Sequence, residues 1–263
     1  PVLAQVPGPV ARLDEQVIEP ASVLEVLAAR HPRRIWKIDA EHGLEFNVAP
    51  DGDVHAIRLI QPEIGDAVDL HAERVVFAAG RGNGGLRERV GLSSAAQQTR
   101  PLHMLTVQGV PHPFNGHCVD RNTTRVTITT ATDTSGRLNW QIGGRISEIG
   151  VDLDAATLIE RARDELDRLL PGVDLAGTRW MTWRVDRAEQ ATSDGSRPDG
   201  AAVLTEANVI TVWPTKLALA PAAAARVRAL TASACRHPVP AGGHADHEPE
   251  VLPGWRVPSV ALP

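Results

Sequence analysis

Val75-Val76-Phe77-Ala78-Ala79 runs directly into Gly80-Arg81-Gly82-Asn83-Gly84-Gly85, and this junction constrains the fold more tightly than any other stretch. Apolar residues without polar alternation predict a strand buried on both faces, as in a parallel α/β sheet. The glycines then impose a turn, and a short helix is expected over 86–90. The string matches G-x-G-x-x-G literally. In a dinucleotide loop such glycines let the backbone approach a pyrophosphate at a helix N-terminus. That motif also expects an acidic residue about 20 positions further on. Here no Asp or Glu occurs between Glu88 and Asp120. The loop therefore reads as an NAD(P)-type phosphate loop, as a plain glycine turn, or as a later element of a larger cofactor domain.

The flanking sequence supports a mixed fold. Residues 1–19 read as a lead-in loop. Pro20 starts a short helix, since Pro suits the first helical turn, with Val23, Leu24 and Leu27 as its apolar face. Strands are expected at 34–39, 45–48, 54–60, 68–70 and 74–79. After Gly91 the pattern becomes antiparallel, with strands at 102–109, 125–130 and 138–143. Asp133-Thr134-Ser135-Gly136 makes a hairpin turn between the last two. Asp154 caps a helix to Leu170, whose apolar stripe is Leu158, Ile159, Ala162, Leu166, Leu169 and Leu170. Strands at 180–185 and 208–213 follow, then an Ala-rich helix from about Thr215 to Leu230. Residues 231–263, rich in Pro and Gly, read as an extended tail. No internal repeat is visible.

Composition excludes several classes. Apolar residues make up 43% and charged residues 22%, the balance of a folded globular chain. A net charge of −5 argues against a dedicated nucleic-acid binder. The longest apolar run, 217–225, is far short of the roughly 20 residues a membrane helix needs. Cys118 and Cys235 match no metal or redox pair, and both are read as thiols of a reducing, cytoplasmic compartment. Lys37 and Lys216 are the only lysines in a strongly Arg-biased chain that contains no Tyr.

Residues 75–82, an apolar strand followed by Ala-x-Gly, resemble the late flavin-contacting element of the D-amino-acid-oxidase-like FAD-dependent oxidoreductases, the glycine and sarcosine oxidase group. Arg100-Pro101-Leu102-His103 is similar to that family's first substrate-domain strand. Residues 138–148, the helix from Asp154 and Leu170-Pro171-Gly172 follow the family's order. Trp183-Arg184 resembles the segment presenting a substrate-facing arginine, and residues 208–221 resemble the last strand and final helix. The likeness runs in order from Arg33 to Leu230. It implies a two-lobed α/β fold, α+β in the substrate lobe. The FAD-binding lobe would comprise 33–91 plus 187–230, and the substrate lobe 92–186, with 1–32 as lead-in. The family's first β-α-β unit has no counterpart upstream of Arg33. The cofactor lobe is therefore expected to be incomplete, finished by an N-terminal segment or a partner chain.

The resemblance implies FAD-dependent oxidation of a small amine, amino acid or 2-hydroxy acid by hydride transfer to flavin. Cofactor contacts fall to Ile35, Ala79, Gly80, Arg81, Gly82, Thr215, Lys216 and Leu217. Lys216, expected to open a helix, would add a full positive charge near the reduced ring; otherwise it is a solvated lysine. Arg184 is the substrate-binding candidate, a guanidinium able to grip an anion bidentately. Its alternative is an ion pair with Asp186 or Glu189. No catalytic base stands out. His103, His112, His117 and Cys118 match no zinc spacing, and the cluster His244, Asp246, His247 and Glu248 lies on the tail, so no metal is expected. Neither a nucleic acid nor a membrane is an expected partner. Two other functions stay open: an NAD(P)-linked oxidoreductase using Gly80 to Gly85, and a non-catalytic ligand-binding or subunit module.

Overall fold

A computed structural model describes residues 5–14, 16–31, 34–60 and 67–232. The described elements in chain order are α1 (Pro20–Ala29), β1 (Leu44–Val48), β2 (Val54–Ile60), β3 (Ala67–Leu70), β4 (Val75–Phe77), α2 (Asn83–Arg89), β5 (Gln97–Gln108) and β6 (Gly116–Asp120). They continue with β7 (Thr123–Thr132), β8 (Leu138–Gly143), α3 (Arg145–Ile149), α4 (Ala155–Leu169), β9 (Arg179–Gln190), β10 (Ala202–Glu206), β11 (Val209–Trp213) and α5 (Ala220–Thr231). The fold is mixed α/β. Over these residues the chain divides into two compact units, one drawn from 5–23 and 101–186 and the other from 24–100 and 187–232.

The first unit is built on a five-stranded sheet in the order β6-β7-β8-β5-β9. The hairpin at 133–136 forms as its residues predict: Asp133 Oδ1 accepts from the backbone N–H of Ser135 and of Arg137. β7 and β8 then pair antiparallel. Val126, Ile128, Trp140, Ile142, Leu105 and Val107 send one face of the sheet into a core closed by Leu158, Ala162 and Leu166 of α4. Those three are the centre of the stripe at helical spacing. The Asp154 side chain accepts from Thr157 N at 2.9 Å and caps α4 as its residue type requires.

The second unit holds two smaller sheets, β1-β2-β3 and β10-β11-β4. β11 runs parallel to β4 and antiparallel to β10. Val54, Val75, Phe77, Val90 and Val209 form one core, with Phe46 edge-on to Phe77 at 5.8 Å. Asn208 locks the start of β2 into it, accepting from Val54 N at 2.8 Å and donating to Val54 O at 3.0 Å.

Four expectations need correction. The alternating segment 34–39 is not a strand, because none of the described residues pairs with it; Asp39 instead caps a turn, accepting from the backbone N–H groups of Glu41 and His42. β4 is not buried on both faces: Val75 and Phe77 are buried but Val76 is 40% exposed. α1 forms from Pro20, yet none of its residues is buried and Leu24 and Leu27 stay about half exposed. The last helix does not start at Thr215. Thr215 has φ +63, a 3-10 turn covers Leu217–Leu219, and α5 begins at Ala220 with Pro221 in its first turn. Lys216 therefore precedes a single tight turn rather than opening a helix.

Periodicity also missed β6 and β10, each only five residues long, and placed α2 three residues late. Among the described residues no helix is long and apolar enough to cross a membrane. Residues 233–263, with Cys235 and the tail His/Asp/Glu cluster, lie outside the described residues, as does Arg33.

Candidate cofactor site

Parallel pairing places the ends of β4 and β11 together. Val75, Val76 and Phe77 lie opposite Val209, Ile210 and Thr211, so the loops that follow both strands leave the same edge. In open α/β sheets this carboxyl edge is where ligands bind. One loop carries Ala79, Gly80, Arg81 and Gly82, and the other carries Thr215, Lys216 and Leu217.

Two carboxamides tie the first loop to the end of β11. Asn83, fully buried at the start of α2, accepts from Ala79 N at 2.7 Å and donates from Nδ2 to Val212 O at 2.9 Å. Gln97 donates from Nε2 to Arg81 O at 3.1 Å and accepts from the Trp213 indole at 3.0 Å. Arg87, one helical turn after Asn83 and equally buried, donates to Ser93 O at 2.8 Å and to Thr211 Oγ1 at 2.9 Å. Its Nη1 also lies 2.7 Å from Glu206 Oε2, an ion-pair contact out of hydrogen-bond alignment that joins α2 to β10.

The glycines have separate reasons. Gly80 sits at φ +57, which a residue with a Cβ adopts only at a steric cost, and a Cβ there would meet nothing within 4 Å. Its outer face is open. Gly84 is buried in α2, where a Cβ would come within 3.2 Å of Gln97 Nε2, so this glycine makes room for the brace. In the second loop Thr215 holds a left-handed conformation costly for a β-branched residue and donates from Oγ1 to Gly200 O at 2.9 Å. Lys216 is exposed, and Leu217 is 52% exposed. Ile35, 44% exposed on the segment ahead of β1, takes no part in the braces.

Arg184, on β9 in the first unit, directs its guanidinium at main-chain carbonyls. Nη1 donates to Val151 O at 2.6 Å and Nη2 to Leu153 O at 2.9 Å. His103 meets the neighbouring Gly150 carbonyl through Nδ1 at 3.0 Å, so two side chains pin the turn ahead of α4. The carbonyl only accepts, which places the proton on Nδ1. Glu189, one suggested partner of Arg184, is fully buried and bidentate with Arg100 at 2.8 and 3.3 Å. Among the described residues no three His, Cys, Asp or Glu side chains gather as metal ligands.

Sequence reading singled out the glycine turn and the Lys216 loop but not Asn83 or Gln97. An Asn between glycines is a faint signal for the first. The partners of Gln97 are 16 and 116 residues away, and no local pattern carries that.

With a braced loop at the carboxyl edge of a parallel pair, comparison with known proteins becomes specific. The chain is similar to part of an FAD-dependent oxidoreductase. Over 165 residues it is 44% identical to the Pseudomonas aeruginosa protein named "Probable FAD-dependent oxidoreductase PA4991". That match covers 62% of this chain and 42% of the relative. The crystal structure of PA4991 aligns with a TM-score of 0.66 and 37% identity, covering 77% of this chain and 55% of that one. The chain thus spans about half the length of PA4991 and shares the fold of the matched region. A glycine oxidase from Bacillus cereus aligns at TM-score 0.42 and 14% identity over 72% of this chain and 49% of its own, too loosely to add to this. No protein-family model matches.

Proposed function

We propose that this chain forms part of an FAD-dependent oxidoreductase of the D-amino-acid-oxidase-like type, acting on a small amine, amino acid or 2-hydroxy acid. The observation that carries the reading is the glycine turn after β4 braced to the end of its parallel neighbour β11, in a chain similar to PA4991. The residues present fit a flavin ring better than a pyrophosphate. The open, left-handed Gly80 lets a flat group approach the backbone. By contrast, the first side chain of α2 is buried in bracing, and β5 continues into an antiparallel sheet rather than a β-α-β unit. This favours the flavin reading over an NAD(P) loop. Anchoring of the pyrophosphate then falls to an N-terminal segment or a partner chain, and the divisions 33–91 with 187–230 and 92–186 serve as cofactor and substrate lobes.

FAD, when bound, supplies the hydride acceptor. Ala79, Gly80, Arg81 and Gly82 would present backbone to the ring, and Thr215, Lys216, Leu217 and Ile35 would complete the contact set. The exposed Lys216 ammonium would supply positive charge to a reduced ring. Arg184 serves the substrate side. Two of its five N–H donors already hold carbonyls, so an anionic substrate shares a guanidinium that is fixed in place. A cytoplasmic location belongs to the same reading.

The test is FAD titration into the full-length gene product, followed by flavin fluorescence and visible absorption. The wild type should turn yellow. Gly82→Val, whose side chain starts 3.3 Å from Ala79 Cβ, should lose the colour while keeping its far-UV circular dichroism. Wild-type flavin content in that variant would remove the glycine turn from the site.

A further inference from the structure

Gln97 stands at the start of β5, outside the glycine turn, yet it is bonded both to that turn and to the last residue of β11. Its chemistry there is strictly specified. The Trp213 indole only donates and the Arg81 carbonyl only accepts, so the bridge needs one acceptor and one donor at a fixed separation. A carboxamide of this length supplies both. Trp213 itself is fully buried and cannot move to compensate. Gly84 lacks the Cβ that would press on Gln97 Nε2, so α2 is shaped around this side chain.

We infer that Gln97 is a positioning residue for the cofactor, setting the pitch of the Gly80–Gly82 turn relative to the end of β11. This rests on the proposed FAD reading. Asn83 joins the roots of the two loops, at Ala79 and Val212. Gln97 ties Arg81, two residues further along the turn, to the buried Trp213 ring at the end of β11, and so governs the angle the turn presents to a bound ring.

The experiment uses Gln97→Met and Gln97→Glu in the full-length gene product with FAD as the probe. Met keeps the length and loses both hydrogen bonds. Glu keeps the acceptor for Trp213 but turns a carboxylate oxygen toward the Arg81 carbonyl. Two readouts are taken: the Trp213 indole N–H resonance without FAD, assigned with Trp213→Phe, and the affinity and long-wavelength absorption band of FAD. Both variants should shift the indole resonance and bind FAD at least about ten-fold more weakly, Glu more so than Met. The absorption band should shift even at saturation. Wild-type affinity and band shape in both variants would overturn the positioning role, whatever their melting temperatures. An unmoved indole resonance would overturn the brace. A wild type that takes up no FAD overturns the functional reading, and this inference with it, before any variant is made.

Discussion

The Asn83 carboxamide reaches across to β11 and donates to the Val212 carbonyl at 2.9 Å, joining residues 129 positions apart. Its oxygen meanwhile accepts from Ala79, at the end of the parallel neighbour β4. Replacing it with the near-isosteric Leu strands a donor and an acceptor at once. A buried polar group left unpaired costs about 1–3 kcal/mol. Asn83→Leu should therefore lower stability by about 2–5 kcal/mol in urea denaturation. Asn83→Asp should not rescue it, because a carboxylate cannot donate to Val212.

Arg184 makes a second prediction. Its fork holds two carbonyls of one turn, at Val151 and Leu153, a geometry an ammonium cannot reproduce. Arg184→Lys should resemble Arg184→Ala, with a modest loss of about 1 kcal/mol because the side chain is exposed. Amide exchange should quicken at 151–155 before α4 opens. In turnover assays of the full-length gene product, the same variants should raise KM for an anionic substrate. Unchanged KM alongside faster exchange would make Arg184 purely a turn anchor.

Acid should act through Asp154. Hydrogen bonds from the Thr157 N–H and then from its hydroxyl hold this carboxyl below its ordinary range. A folded pKa lower than the unfolded one means the cap stabilises above the unfolded value, and that stability is lost as pH falls through the folded value. Asp154→Ala should thus melt below the wild type at pH 7. The gap should close as pH falls below the usual carboxylate range, which melting curves across that range will show.

Cys118 packs half-buried against the core of the first unit. Burial pushes its thiol up, Glu165 adds to the shift, and Arg125 opposes it. Little thiolate forms near neutral pH, so alkylation by iodoacetamide should be at least about ten-fold slower than in denaturant. Peptide mass spectrometry separates this site from Cys235. Equal rates would mean the strand β6 opens freely.

Strong local codes were legible in the chain. Asp154 and the stripe 158, 162, 166 specify α4, and the polar turn at 133–136 with its flanking alternation specifies the β7–β8 hairpin, because each is stabilised by partners a few residues away. The run 75–79 announced a strand through its apolar residues, and the glycines after it announced the turn. Long-range partners were not legible. Segment 34–39 alternates well yet finds no neighbour to pair with among the described residues, and Val76 belongs to an apolar run yet is 40% exposed. β10 was invisible because five residues carry little periodicity and its pairing is with β11. Above all, the braces at Asn83 and Gln97 exist only because parallel pairing of β4 with β11 brings together backbone from opposite ends of the chain. Helix caps and hairpin turns close within a few residues and can be read locally. A carboxamide that needs one donor and one acceptor from distant strands is satisfied only when the sheet has formed.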